Sequence, residues 1–354
     1  MAASDVFNGF IEKTLAVILE PFESWERFLS AVSHGLHVYG IDLNSKTAFP
    51  YMLSSLLIAG LVYQYDCRTG RLRNSSFMQY VFPRSVYLHP SAVTDYKFVA
   101  VDLSIKLLVY VPLFSGISWL LYKSLYSALR PIGVDLSSSV LFSSAFMPGL
   151  VGFVLADFGF FLSHYLMHKI PVLWVFHEVH HSAEVLTPIT VHRVHPVEEL
   201  LNGLIGSSIS AVGAAMYSAL SEKDLVFVEI FGVNAISFMF FAFAFQLRHS
   251  HIWLSYGSVL SRILISPAQH QIHHSQDPQH WDKNFGFTFA VWDACFRSLY
   301  VPRDQESIRF GLPYGDRSDF SSLSKLYVLP FKKALQVLRR TRKQLSNVKD
   351  VTSV

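Results

Sequence analysis

The stretch HYLMHKIPVLWVFHEVHH at residues 164–181 closes a long apolar run and carries five histidines. They form an HxxxH pattern at 164–168 and an HxxHH pattern at 177–181. On a helix, residues three and four positions apart lie on one face, a few ångström from each other. Because neutral imidazole is the commonest metal ligand in proteins, the stretch predicts a helical surface that coordinates metal.

A second HxxHH pattern, HQIHH at 270–274, lies far from the first along the chain. With 16 histidines among 354 residues, two such triplets are not expected by chance. The patterns therefore predict one metal site that is assembled from two distant parts of the chain. The ligands expected from these patterns are His164, His168, His177, His180, His181, His270, His273 and His274.

The composition predicts an integral membrane protein. Hydrophobic residues make up 51% of the chain and charged residues only 16%, against about 25% charged residues in a typical soluble protein. The two cysteines, Cys67 and Cys295, cannot build a disulfide framework. The formal net charge of +3 is modest, and no feature of the sequence indicates a nucleic-acid partner.

The apolar segments predict an all-α fold with roughly five hydrophobic helices of about the length that a bilayer requires. A re-entrant hairpin is the alternative for the first of them. We interpret residues 1–47 as an amphipathic segment, 48–300 as the membrane-embedded domain and 301–354 as a basic tail. The five expected spans are residues 48–65, 99–122, 140–168, 200–220 and 225–247.

The connectivity places the clustered histidines on one side of the membrane. The third expected span ends at the first histidine patterns, and the fifth returns to the same side just before residues 270–274. The segment 66–98 and the tail lie on that side as well and are rich in lysine and arginine, so the positive-inside rule predicts a cytoplasmic face. We therefore expect a cytoplasmic cap of shorter helices to enclose a di-metal site.

The basic tail has two interpretations. The segment LYVLPFKKALQVLRRTRKQL at residues 326–345 fits a basic amphipathic helix that is held near anionic headgroups. It fits equally a solvated charged end of the chain.

Further histidines can complete the metal site. His249 is expected as a ligand with His251 as its alternate, and His195 is an additional candidate. Eight or more imidazoles exceed the three or four ligands of a typical zinc site, so two metals that share them are the simplest account. The carboxylates that can accept the second ring N–H of ligating histidines are Asp157, Glu178, Glu198 and Glu199.

Two other functions fit parts of the same pattern. HEVHH at 177–181 satisfies HExxH, the zinc-protease signature, with Glu178 as general base. A membrane zinc protease would leave 164–168 and 270–274 without a role. A metal transporter is the third candidate, but transport sites usually lie near the bilayer midplane on broken helices, whereas these histidines lie at helix ends.

Taken together, the three histidine patterns resemble the fatty acid hydroxylase / sterol desaturase superfamily of membrane di-iron oxygenases. Asp157 lies seven residues before His164, as in the D-x6-H pattern of that family. The similarity covers roughly residues 145–300, and the arrangement of His249 and His251 looks closer to the sterol-desaturase branch. The smaller matching elements are R-x-H-P-x-E at Arg193, His195, Pro196 and Glu198, NFG at 284–286 and WD at 292–293.

Two departures from the family pattern concern the substrate more than the chemistry. Tyr165 follows the first histidine where the family usually has arginine. The segment Phe296, Arg297 and Ser298 replaces the closing F-G-T. Neither departure replaces an expected metal ligand.

The resemblance implies a di-iron centre that uses O2 to hydroxylate or desaturate a lipid of the sterol or fatty-acyl type. It implies a separate electron donor such as cytochrome b5 or a ferredoxin, because the chain carries no flavin, haem or nicotinamide motif. It also implies that the lipid enters from the bilayer, in the endoplasmic reticulum of a eukaryote or the inner membrane of a bacterium. Residues expected around the metal ligands are Asp157, Arg193, Glu198 and Asn284.

Overall fold

The computed structural model describes residues 19, 23–27, 29–30, 33, 48–72, 75–105, 111–132, 146–221, 229–230 and 233–352. Their regular secondary structure is helical, apart from one antiparallel pair of two-residue strands, β1 (Glu229–Ile230) and β2 (Val233–Asn234). From residue 48 onward the α-helices are α1 (Phe49–Arg68), α2 (Phe77–Val81), α3 (Arg84–Tyr87), α4 (Pro90–Ile105), α5 (Val111–Leu129), α6 (Phe146–Lys169), α7 (Pro171–His181), α8 (Pro196–Ser221), α9 (Ala235–Ala242), α10 (Gly257–Leu260), α11 (Pro267–His273), α12 (Val291–Cys295) and α13 (Leu323–Thr352). Short 3-10 helices cover Arg130–Ile132, Pro188–His192, Phe245–His249, Pro278–His280 and Arg317–Phe320.

Two long apolar helices, α6 and α8, pack against each other. Each contains a stretch that is long and apolar enough to cross a membrane, Gly149–Lys169 and Pro196–Leu220. The two backbones approach closely, since a Cβ atom on Gly159 would lie only 3.0 Å from the Cα atom of Gly206. Small residues at such a crossing let membrane helices pack tightly, so these two glycines set the spacing between α6 and α8.

The expected number of five membrane helices is not confirmed. Among the described residues, only α6 and α8 combine the required length and hydropathy, and they correspond to the third and fourth expected spans. Helix α1 covers the first expected span, and α4 and α5 flank residues 106–110 of the second, which lie outside the described ranges. The described part of the fifth is not one continuous helix. There α9 ends at Ala242, and Ala244, with a φ of 60°, turns the chain into the 3-10 helix that ends at His249.

Specific residues begin the two short helices that carry the HxxHH patterns. Pro171 occupies the first turn of α7, directly after α6, where its missing N–H costs no hydrogen bond. Ser266 and Gln269 form a capping box at the start of α11. The Ser266 Oγ accepts the Gln269 N–H at 3.3 Å, and the Gln269 Oε1 accepts the Ser266 N–H at 2.9 Å. These starts fix the rotation of both helices and therefore the direction of the histidines in their last turns.

Helix α13 packs its first half on the helices that carry the histidines. The fully buried Leu326 lies in a cluster with Phe98 of α4 and Val179 of α7. Ala334 lies in a second cluster with apolar residues of α7. The first half of the expected basic tail is therefore part of this core. The expected amphipathic segment 1–47 lies almost wholly outside the described residues.

Candidate metal centre

The structure gathers nine histidines into two adjoining groups. Within each group, one ring nitrogen of every member lies within 4.8 Å of those of the others. We call them the five-histidine group and the four-histidine group. The rings of His181 and His274, one from each group, stack with centroids 4.6 Å apart. The five-histidine group is His164, His168, His177, His181 and His273, and the four-histidine group is His180, His249, His270 and His274.

Helices α7 and α11 each supply both groups. On α7, His177 and His181 are one turn apart and join the five-histidine group, whereas His180 joins the other. At the end of α11, the consecutive residues His273 and His274 separate in the same way. The HxxHH pattern therefore places ligands for two sites on one short helix.

Hydrogen bonds on the outer side of the rings fix where their protons lie. The Nδ1 atoms of His164 and His273 each donate to a backbone carbonyl at 2.8 Å, those of Phe285 and Lys283. The Nδ1 of His180 donates to the Arg193 carbonyl at 3.2 Å. Because a carbonyl oxygen only accepts and a neutral imidazole carries one N–H, the Nε2 atom of each of these rings holds a lone pair.

The lone pairs point at one another inside the groups. The Nε2 atoms of His164 and His177 are 3.1 Å apart, although the Nδ1 of His177 already donates to Glu198 at 2.7 Å. With both protons on Nδ1, no hydrogen bond can join these two nitrogens. The buried Nε2 atoms of His168 and His273 have no hydrogen-bond partner among the described residues.

A metal ion accounts for this arrangement. Imidazole nitrogens bind an ion such as zinc at about 2.0–2.1 Å, which places neighbouring ligand atoms of one ion roughly 3.0–3.4 Å apart. The Nε2–Nε2 distances are 3.1 Å for His177–His181, 3.0 Å for His249–His270 and 3.3 Å for His270–His274. Both groups therefore fit the donor set and the spacing that a bound cation requires.

Burial keeps the imidazoles in the form that binds metal. Removal from water lowers the pKa of His177, His181 and His273 well below the ordinary value, and neighbouring imidazoles lower it further. The pKa values of His270 and His274 in the other group are lowered for the same two reasons. The rings are consequently neutral near pH 7, and each has a lone pair available for a metal ion.

Two expected ligand candidates lie outside both groups. His195 uses both ring nitrogens on the backbone, since its Nδ1 accepts the Val197 N–H and its Nε2 donates to the Tyr327 carbonyl, each at 3.1 Å. The Nε2 of His251 donates to the Tyr80 carbonyl at 2.6 Å. His195 and His251 therefore lie in neither group, whereas His249 lies in the four-histidine group.

The carboxylates differ in what they contact. Glu198 is buried and accepts the Nδ1–H of His177 at 2.7 Å, which orients the ring as expected. Glu178 instead forms an ion pair with Lys333 of α13 at 2.7 Å. Its carboxylate is thus engaged by the last helix, which does not favour the role of general base that the zinc-protease alternative requires.

Asp157 and Asn284 were expected next to the ligands but fix the loop that follows α11. Asp157 accepts the backbone N–H groups of Thr288 and Phe289 and the indole N–H of Trp292. Asn284 donates to the Gln269 carbonyl and accepts the Tyr300 N–H. The expectation that Asp157 accepts a ring N–H of a ligating histidine is corrected, because its carboxylate binds this loop. Asn284 lies between Lys283 and Phe285, whose carbonyls accept from His273 and His164.

A buried ion pair near the four-histidine group was not anticipated from the sequence. The guanidinium of Arg193 contacts Asp95 of α4 at 2.7 Å, and both side chains are almost fully buried. It also donates to the Ser182 hydroxyl and the Val179 carbonyl at the end of α7. This network fixes the position of the Arg193 carbonyl, which accepts from His180. Asp95 lies outside every recognisable pattern, so no local signal identified it.

A cavity of about 310 Å³ opens beside the five-histidine group. His168, His181 and His273 line it, and its walls include aromatic and apolar side chains. The indole N–H of Trp174 donates to the Tyr314 hydroxyl at 2.7 Å, and both residues line this cavity. Residues 311–314 line the cavity although they follow the region that carries the sequence patterns.

Comparison with known proteins identifies the class. The fatty acid hydroxylase family model matches residues 149–298, which include all nine histidines of the two groups. This part of the chain therefore matches the fatty acid hydroxylase family, and the resemblance seen in the sequence is confirmed. The placement in the sterol-desaturase branch stays a prediction.

Several relatives are named as a monooxygenase, a hydroxylase or a desaturase of lipids. The chain is 26% identical to an alkylglycerol monooxygenase of Caenorhabditis elegans over 44% of this chain and 28% of the relative. It is 28% identical to the ornithine lipid hydroxylase OlsE of Rhizobium tropici over 46% of this chain and 45% of the relative. It is 24% identical to a Delta(7)-sterol 5(6)-desaturase of Eremothecium gossypii over 63% of this chain and 57% of the relative.

The chain spans less than half the length of the first two of these relatives. No solved structure matches it.

Proposed function

We propose that this chain is a membrane oxygenase that uses two iron ions and O2 to hydroxylate or desaturate a lipid. One observation carries the proposal. Two adjoining groups of imidazoles, seven of them buried, hold their ring nitrogens at the spacing of metal ligands. Family membership supports iron as the metal, because imidazole ligation alone also permits zinc, copper or nickel.

Each group would hold one ion. The five-histidine group offers one ligand atom from each of its members, and the four-histidine group does the same. With two irons held by these histidines, the site would supply the chemistry for O2 activation and for removal of hydrogen from an unactivated C–H bond. The protein orients the ligands and keeps bulk water from the site, since the members of the four-histidine group are all buried.

The residues outside the rings set ligand direction. Glu198 holds the proton of His177 on Nδ1 and strengthens the basicity of its Nε2. The carbonyls of Phe285, Lys283 and Arg193 do the same for three other rings without adding charge.

The cavity beside the five-histidine group is the proposed site of the reacting part of the substrate. Its aromatic walls suit an apolar group, and its histidine lining brings that group next to one ion. The named relatives act on an alkylglycerol, an ornithine lipid and a sterol, which supports a lipid substrate here. We propose entry from the bilayer, because His164 and His168 lie in the last turns of a helix that is long and apolar enough to span it.

The electrons would come from a separate protein such as cytochrome b5 or a ferredoxin. We place the metal centre on the cytoplasmic face because of the lysine and arginine distribution. The membrane would be the endoplasmic reticulum of a eukaryote or the inner membrane of a bacterium.

Metal analysis of purified protein together with lipid profiling tests the proposal. We expect about two irons per chain, and lipids that gain a hydroxyl group or a double bond in cells producing the protein. Glu178→Gln separates the two enzyme classes, because an oxygenase keeps its iron and activity whereas a zinc protease loses catalysis. Active protein that carries no iron would refute the proposal.

A further inference from the structure

Helix α13 has two different apolar faces. The first is packed on the protein through Leu326 and Ala334, which are 0% and 7% exposed. The second consists of Val328, Phe331, Leu335 and Leu338, which are 49–55% exposed. These four residues follow one another at intervals of three, four and three, so they form one continuous stripe along the helix. We call them the outer stripe.

Basic residues lie beside the outer stripe. Lys332, Arg339 and Arg342 are exposed and follow stripe residues by one to four positions. Arg340 and Lys343 extend the positive charge along the same part of the helix. An apolar stripe with cationic flanks is the pattern of helices that lie in the headgroup region of a bilayer with their apolar side toward the acyl chains.

The packing of α13 places it at the level where the spans end. Val337 of α13 lies in one cluster with Val172, which follows the end of α6 by three residues, and with Val197 near the start of α8. Both α6 and α8 contain the segments that are able to cross a membrane. The helix therefore packs on α7, which begins two residues after α6 ends, and lies near the start of α8.

We propose that the outer stripe docks α13 on the surface of a bilayer that contains anionic lipid. The apolar residues reach the acyl boundary, and the flanking arginines and lysines contact the lipid phosphates. Because α13 also packs on α7, the docked helix holds α7 and its histidines against the membrane surface. The proposal needs the membrane location but not the oxygenase chemistry, so either can fail without the other.

Fluorescent labelling of the full chain in lipid nanodiscs tests this docking. Cys67 and Cys295, whose thiols are both exposed, are first replaced by serine. A single environment-sensitive label is then attached to the cysteine introduced by Leu335→Cys. The matched control is Gln336→Cys, the next residue, which is exposed outside the outer stripe. The discs contain phosphatidylcholine alone or with about 30% phosphatidylglycerol, and a thermal melting transition like that of the unaltered chain verifies that each variant is folded.

Docking predicts opposite behaviour for the two labels. In anionic discs, spin-labelled acyl chains should quench the label at 335 and iodide should not, whereas iodide should quench the label at 336. Arg339→Gln with Arg342→Gln should lower the ratio of docked to undocked helix roughly 30-fold, because each basic residue near an anionic surface contributes about a factor of five. Raised salt should weaken docking in the same direction.

Three results would overturn the proposal. Equal iodide quenching at 335 and 336 in anionic discs would show that the stripe faces water. Equal protection of 335 in discs of phosphatidylcholine alone would remove the requirement for anionic lipid. Pyrene excimers between two chains labelled at 335 would show that a second copy of the chain covers the stripe instead.

Discussion

The two histidine groups contain the same kind of ligand but have different surroundings. The five-histidine group includes residues of α6 and lines the cavity, whereas the four-histidine group is fully buried and draws on the 3-10 helix at 245–249. A buried carboxylate, Glu198, orients one ring of the first group. In the second group, a backbone carbonyl that is held by the Arg193–Asp95 pair has that role. The difference indicates that an ion in the five-histidine group would face the substrate. An ion in the four-histidine group would depend on the buried residues that orient its ligands.

Replacing one ligand in each group should give the largest effects. His273→Ala in the five-histidine group and His270→Ala in the four-histidine group should each lower iron from about two per chain to about one, with activity reduced at least roughly 100-fold. Mössbauer spectra of the two variants should differ, because a different ion remains. The control is His280→Ala, since His280 pairs with Glu306 outside both groups. Identical spectra for the two variants would remove the distinction between the groups.

Acid should release metal from both groups and destabilise the metal-free protein. The folded chain holds His177, His181 and His273 at pKa values below the ordinary value because they are buried. The unfolded chain binds protons to these residues as the pH falls below about 6.5, so the stability present above that pH is lost below it. Each ring contributes up to about 1.4 kcal/mol per pH unit. A melting temperature of metal-free protein that is unchanged between pH 7 and pH 5 would contradict this expectation.

Asp95→Asn should disturb the four-histidine group through the scaffold. The substitution leaves the buried guanidinium of Arg193 without its charge partner, which typically costs about 3–5 kcal/mol of folding free energy. Iron should be lost first from the four-histidine group, because the Arg193 carbonyl orients His180. Thermal melting and iron content measure the two effects. The double variant Asp95→Leu, Arg193→Met carries no unpaired charge and should recover part of the melting temperature; no recovery would contradict the charge argument.

The histidines of the two groups could be predicted from the sequence more completely than the residues that orient their rings. Regular spacing reveals HxxxH and HxxHH because ligands on one helix turn must recur every three or four residues. The partners of the second ring nitrogen follow no such rule. His195 has its nitrogens occupied by the backbone at Val197 and Tyr327, and the latter lies on a helix that the sequence assigned to a separate tail. Asp95 reaches Arg193 from a distant helix, so only the folded chain brings them together.

The same limit applies to the membrane helices. Apolar length identified α6 and α8, where the hydrophobic run is continuous. It did not anticipate the break after Ala242, because the left-handed backbone at Ala244 has no glycine or proline to mark it. That break delivers His249, rather than His251, to the four-histidine group. The direction of the backbone after Ala244 thus determines which of the two histidines lies in the group, and the spacing in the sequence alone does not.

The smallest expected effect concerns the carboxylate of the five-histidine group. Glu198→Gln keeps an acceptor for the Nδ1–H of His177 but removes the negative charge that strengthens its Nε2 as a ligand. Metal affinity or activity should fall by about 10–100-fold, the range found for residues that support metal ligands. Chelator titration should show that only one of the two irons becomes more labile.

The matched control for that variant is Glu306→Gln, which alters a carboxylate–histidine pair at His280 outside both groups. It should leave both irons as tightly bound as in the unaltered chain. If Glu198→Gln instead labilised both irons equally, the carboxylate would support the whole centre, and the contrast between a substrate-facing ion and a scaffold-held ion would fail. If it labilised neither iron, the negative charge of Glu198 would not be needed to hold the ion of the five-histidine group.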